Sequence, residues 1–214
     1  MIYTKSSSFF FDSMNYQTTK CLMLIRPRNF SSNEETLESN EFQNGFTEST
    51  NLSHIRARVD TEFINMVDRL SDHEIDHIVF DDIEDLGSPD AIFPNNWITL
   101  HDDGVVVLYP MMSSKRRNER RIDIIEKLSL IGFDLTKTID LSHLENNGHY
   151  LEGTGSMILD RLNKKAYACI SSRTTKEALG AFSDMMSYEI IEFSSSTKIP
   201  IYHTNVMMSL GEDT

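Results

Sequence analysis

Three polar residues of different chemistry, Asn96, Glu152 and His203, fall 56 and then 51 positions apart in a chain of 214 residues. Each stands just before what reads as the first strand of a repeated β-β-α-β segment. Arginines recur at the same interval. Arg116 and Arg117 follow the second strand of one segment, and Arg173 follows that of the next, about 56 positions on. If the segments are arranged around an axis, equivalent positions converge near it, and one polar side chain per repeat builds a site. Imidazole changes charge near neutral pH and arginine holds carboxylates through paired donors. Such a set could move a proton and bind an anion. Taken singly, each residue has a plainer use. A lone histidine is more often structural, Glu152 in a Gly-containing turn can cap nearby amides, and Asn96 or Asn205 can serve its own loop.

The elements that must position these residues follow from hydrophobic patterning. Cys21 to Ile25 is an apolar run that predicts a buried strand, residues 30 to 54 predict a long polar loop, and Val59 to Leu70 carries apolar residues at helical spacing. Ile75 to Phe80 predicts a short strand. The repeat then begins. Trp97 to Leu100 and Val105 to Tyr109 predict a hairpin about His101-Asp102-Asp103-Gly104, followed by a helix over Asn118 to Leu130 and a strand over Phe133 to Ile139. The same order returns as strands Met157 to Leu162 and Ala166 to Ile170, a helix over Thr174 to Met186, and a strand over Glu189 to Phe193. A third segment opens with a strand expected over Asn205 to Leu210.

Lys115, Arg116, Arg117, Arg120 and Arg121 crowd the start of the predicted helix, the wrong end for cations given the helix dipole. A bound anion is one explanation; pairing with Glu119, Asp123 and Glu126 is the other. His101-Asp102-Asp103, and Asp72-His73 with Asp76-His77, have metal-ligand residue types but no second convergent motif. No metal and no cofactor is expected.

Four strings, SPDAIFPNNW (88 to 97), LEGTGS (151 to 156), SSRT (171 to 174) and HTNVMM (203 to 208), together with IRPRNFSSNEET and ESNEFQ near the start, resemble the amidinotransferase family. This is the guanidine-modifying pentein superfamily, which includes arginine deiminases and dimethylarginine hydrolases, and the likeness is to its citrulline-hydrolase-like branch. It covers about residues 16 to 211. The resemblance implies an α/β propeller of pseudo-repeated β-β-α-β units, here incomplete, and cysteine-dependent hydrolysis of a ureido or guanidino C–N bond. It implies His203 as general acid and base, Glu152 as the carboxylate orienting the histidine or a substrate nitrogen, and Arg117 and Arg173 as a clamp for an amino-acid carboxylate. Asp90 would meet the amino group. In guanidine-hydrolysing relatives the position of Asn96 is an aspartate, and the residue two after the histidine, here Asn205, is an aspartate in deiminases. Uncharged amides at both places favour a neutral ureido compound such as citrulline over arginine, because a carboxylate buried against a neutral group is costly. Arginine deiminase or amidinotransferase activity is the alternative within the family.

The family's nucleophile is a cysteine near the C-terminus. Cys21 and Cys169 match neither its position nor its motif and read as core thiols. The expectation is a domain over 14–214 lacking its C-terminal part, preceded by an irregular extension over 1–13. It would be inactive as it stands, or a non-catalytic ligand-binding remnant. Exposed strand edges would favour self-association.

Composition narrows the partners further. With 33 acidic against 20 basic side chains the net charge is −13, and residues 31 to 90 hold 16 of the carboxylates against three arginines. That balance argues against nucleic acid, whose phosphates need clustered cations. No apolar run reaches the roughly 18 residues of a membrane span, and a cytoplasmic protein acting on a small amino-acid substrate is expected.

Overall fold

The computed structural model describes residues 3–4, 17–39, 45, 51–197 and 201–212. The chain divides into two compact units, formed chiefly by Thr19–Pro94 and by Asn95–Thr214.

In the first unit, β2 (Cys21–Arg26) lies parallel to β3 (Asp76–Asp81), in register from Cys21 opposite Asp76 to Arg26 opposite Asp81. The crossover between them is α1 (Leu52–Asp72), as a parallel pair requires. On the other edge of β3, β1 (Tyr3–Thr4) runs antiparallel. Residues 5–13 of the expected N-terminal extension lie outside the described residues. The helix predicted over Val59 to Leu70 starts seven residues earlier, because the Asn51 side chain accepts from the His54 amide and caps it there. The expected loop before it holds a 3-10 turn at Glu34–Ser39. Phe63, Ile25, Ile78, Val79 and Phe80 are buried.

The second unit contains two sheets of the same plan. β4 (Ile98–Leu100) is antiparallel to β5 (Val105–Leu108), and β6 (Lys137–Asp140) is parallel to β5 after a helical crossover. β7 (Met157–Asp160), β8 (Lys165–Cys169) and β9 (Glu189–Phe193) repeat that order, with α5 (Lys176–Met186) as crossover. The internal repeat read from the sequence is thus a repeat of sheet topology. Val107, Tyr109, Leu151, Met157, Ala166, Leu179 and Phe182 belong to one continuous core in this unit. Small Ala166 and Ala168 on β8 and large Phe182 and Met186 on α5 share that core, the small side chains leaving room for the large ones.

Three expected elements differ. The helix predicted over Asn118 to Leu130 begins only at Ile122, as α3 (Ile122–Leu130), and a separate turn, α2 (Ser114–Arg117), comes before it, so the basic cluster largely precedes the long helix. Its charge is met within the chain. Arg121 at the N-cap of α3 binds both oxygens of Asp123, and Arg120 binds both of Glu145, a partner not foreseen. The strand expected from Phe133 begins only at Lys137, because residues 133–136 turn to bring the Thr136 amide onto Gly104 O. The strand expected over Asn205 to Leu210 is a 3-10 turn at Thr204–Val206 followed by irregular chain. Among the described residues no strand pairs with it. Its amides turn instead to carbonyls three residues back, Val206 to His203 and Met207 to Thr204.

Candidate active site

Glu152 is fully buried at the start of α4 (Gly153–Ser156), a single turn that delivers the chain into β7. The turn exists because Gly153 has a φ of +46°, which favours glycine, and because a Cβ there would sit 2.2 Å from Asn95 O. The Glu152 amide accepts support from two directions: it donates to Ser156 Oγ at 2.9 Å and to Arg173 O at 3.3 Å. Its carboxylate is therefore held from its own backbone outward.

Around that carboxylate the three segments meet. His203 Nε2 lies 2.7 Å from Oε2, Met112 N–H donates to Oε1 at 3.2 Å, and Nη1 of both Arg116 and Arg173 stands 3.6 Å from Oε2. Arg116 Nη1 also donates to Asn96 Oδ1 at 2.8 Å. Its Nε and Nη2 donate to the two oxygens of Glu119, each at 2.9 Å. Asn96, Arg116, Glu119, Glu152, Arg173 and His203 are all buried.

His203 is delivered by the segment before the Thr204–Val206 turn. Thr204 Oγ1 donates to Ser156 O at 2.5 Å and accepts the Cys169 amide at 2.8 Å, while Ser171 Oγ donates to Tyr202 O at 2.8 Å. The Tyr202 ring lies 4.8 Å from the His203 ring and 4.3 Å from the Arg173 guanidinium. Gly155 packs beneath: a Cβ there would meet Asn96 Nδ2 at 2.4 Å and His203 Nδ1 at 2.9 Å.

The electrostatics assign the protons. Burial alone would raise Glu152, but the His203 hydrogen bond and the Arg116 and Arg173 charges overcome it and hold the acid at about 2. Burial pushes His203 down, aided by Arg173 and Arg116 and opposed by Glu152. At neutral pH the pair is a carboxylate and a neutral imidazole. Nε2–H donates to Glu152, so Nδ1 carries the lone pair. Such an arrangement can accept a proton at Nδ1, with the resulting imidazolium stabilised by the carboxylate behind it.

Of the residues singled out from the sequence, the structure brings Asn96, Glu152, Arg173 and His203 into this cluster. Arg117 is one peptide away: its Nη2 lies 3.4 Å from Met112 O, its Nε donates to Met111 O, and Glu145 lies 3.4 Å from Nε. Asn205 is exposed, since the chain after His203 turns rather than continuing as a strand. Asp90 belongs to the first unit, where Asn33 donates to it at 2.9 Å.

Arg116, rather than its neighbour Arg117, is the arginine beside the Glu152 carboxylate, and Glu119, which the sequence offers only as one ion partner of the basic cluster, fixes it there. The spacing of the two, three apart and bridged on one short turn, was the available signal. Neither cysteine is exposed: Cys169 is buried and Cys21 half-buried, with burial and then Asp76 pushing the Cys21 thiol up to about 11. His101 bonds Thr99 and Arg161, and burial holds it down at about 3. His77 is buried with Nδ1 on Ile75 O. Among the described residues no group of three or more His, Cys, Asp or Glu could hold a metal ion, and no helix is long and apolar enough to cross a membrane.

No curated protein matches the chain in sequence. Solved structures do match its fold. The N-terminal domain of ArgZ, an arginine dihydrolase from the ornithine-ammonia cycle in cyanobacteria, in its substrate-bound form superposes with a TM-score of 0.60 at 14% identity, covering 82% of this chain and 58% of that one. A dimethylarginine dimethylaminohydrolase adduct with S-methyl-L-thiocitrulline gives 0.56 at 14%, covering 86% and 64%. AgrE in complex with ornithine and NAD+ gives 0.62 at 16%, covering 85% and 24%. The chain therefore spans less than two thirds of the length of each. Residues 26–214 match the family described as N,N dimethylarginine dimethylhydrolase, eukaryotic. The chain belongs to that family, and with it to the pentein, or amidinotransferase-like, superfamily.

Proposed function

We propose that the Glu152–His203 cluster is the acid–base and anion-recognising part of a centre that hydrolyses a ureido or guanidino C–N bond of an amino acid, with a citrulline-like compound favoured. The observation that carries this is the buried carboxylate bonded at 2.7 Å to a neutral histidine between two arginines. In this chemistry a thiol adds to the central carbon as its proton passes to His203 Nδ1, the imidazolium hands that proton to the departing nitrogen, and water, deprotonated in turn by His203, then displaces the sulfur. Arg173 and Arg117 would recognise the substrate carboxylate. Arg117, with 30% of its side chain exposed, can reach a ligand, whereas Arg116 is held by Glu119 and Asn96. Asn96, Asn205 and, from the family resemblance, Asp90 would contact the rest of the substrate.

Neither thiol in the 214 residues is available for that attack: Cys169 lies buried within β8 and the Cys21 thiol is held protonated. The nucleophile would come from sequence outside them, within a pentein-type propeller of which 14–214 is a part, in a cytoplasmic protein. A ligand-binding remnant without catalysis is the second reading, favoured by the same two cysteines. The open edges of such a part would promote self-association, read as a concentration-dependent mass in sedimentation. Ammonia release from citrulline and from arginine, on this chain and on a C-terminally extended one, tests the proposal. Release from citrulline by the extended chain alone supports it. Release by neither chain favours the remnant, and preference for arginine corrects the substrate.

A further inference from the structure

Arginine carries only donors, so the Asn96 atom that receives Arg116 Nη1 at 2.8 Å must be the carbonyl oxygen. The amide is thereby oriented, and its NH2 group faces Gly155, against which His203 Nδ1 also packs. Arg116 cannot easily swing away, because its other edge is bound at 2.9 Å by both oxygens of Glu119, a carboxylate whose side chain is 1% exposed. A planar guanidinium gripped on one edge has its remaining nitrogen aimed by geometry alone.

We propose that Glu119 and Arg116 are a positioning pair that locks the Asn96 amide with its donor toward His203 Nδ1, and that this selects a reacting head bearing an acceptor oxygen over one bearing donors only. A ureido group offers such an oxygen. A guanidinium presents N–H groups on every side and would face the Asn96 NH2 donor to donor. The inference rests on the function proposed above and names the structural device behind its substrate preference. It also separates two roles that an isolated amide would confuse, since an Asn free to flip could present its oxygen to a guanidinium at little cost.

The experiment uses the chain as it is, with citrulline and arginine as probes, and reads binding by the fluorescence of Trp97, the sole tryptophan, which adjoins Asn96 and is buried. Wild type is expected to bind citrulline about ten- to a hundredfold more tightly than arginine, the worth of one hydrogen bond and one unmet donor. Glu119→Gln keeps shape but releases the grip on Arg116, and should bring the ratio to within about threefold by restoring the flip. Glu119→Asp, which can still pair with Arg116, should keep most of the preference.

Should Glu119→Gln fail to fold, Asn96→Asp replaces the donor by an acceptor of the same shape and should reverse the preference toward arginine. An unchanged ratio in a folded Glu119→Gln, or citrulline preference in Asn96→Asp, overturns the inference while leaving the proposed function standing. Binding of neither probe by wild type also overturns the inference, and ammonia release by the C-terminally extended chain then decides the proposed function separately.

Discussion

Glu152 and His203, 51 residues apart, share a 2.7 Å hydrogen bond in which a neutral imidazole donates to an ionised, fully buried carboxylate. Both partners are shifted toward lower pKa, and their effects on stability have the same sign. Glu152 is lower folded than unfolded, so its stabilisation is complete above about 4.5 and lost as pH falls toward about 2. The unfolded His203 takes up a proton near 6.5 that the folded one refuses, which costs stability from that point downward. Chemical denaturation at a series of pH values should show a gradual fall below pH 6.5 and a steeper one below 4.5. The Glu152 part is worth on the order of 3 kcal/mol. Glu152→Gln should shrink the steep limb by that amount, leaving the part due to Asp60 and Asp123, which Arg26 and Arg121 also hold low; an undiminished limb would assign it wholly to those other acids.

Thr204 fastens the histidine segment to the second repeat. Thr204→Val keeps the volume but leaves the Cys169 amide and Ser156 carbonyl buried and unpaired. The loss should be about 2–4 kcal/mol, a fall in melting temperature of about 5–10 °C. Amide hydrogen exchange at Cys169 should accelerate first. Unchanged protection there would mean the hydroxyl does not hold the segment.

Two glycines should respond with opposite signs to alanine. Gly153→Ala meets both a positive φ and the Asn95 carbonyl at 2.2 Å, and should cost about 2–3 kcal/mol. Gly180→Ala, in the exposed interior of α5 with nothing within 4 Å, should gain about 0.5–1 kcal/mol. Thermal melts of the two variants beside wild type read the contrast directly.

The thiols should be inert in the folded protein. Cys169 is buried, and with the Cys21 thiol near 11 only about one molecule in three thousand is thiolate at pH 7.5. Iodoacetamide at that pH should label neither within minutes, and both after unfolding. Rapid labelling of native Cys21 would show a more acidic thiol than its burial allows.

The amino-acid sequence alone determined the repeat. Apolar alternation, turn residues and helical spacing are local properties, so strands β4, β5, β7, β8 and β9 and helix α5 fall close to where patterning puts them. Asn96 and Glu152 come together because two sheets of the same plan place equivalent positions alike, whereas His203 reaches Glu152 ahead of a 3-10 turn and not a strand. Only tertiary structure decided which arginine reaches the carboxylate. Arg116 and Arg117 are neighbours of one type, and the four-residue turn of α2 points one inward to Glu119 and Glu152 and the other toward Glu145. The fate of residues 205–210 was equally hidden. Their strand-like pattern becomes a strand only where another strand supplies hydrogen bonds, and that is a property of what lies beside them in space.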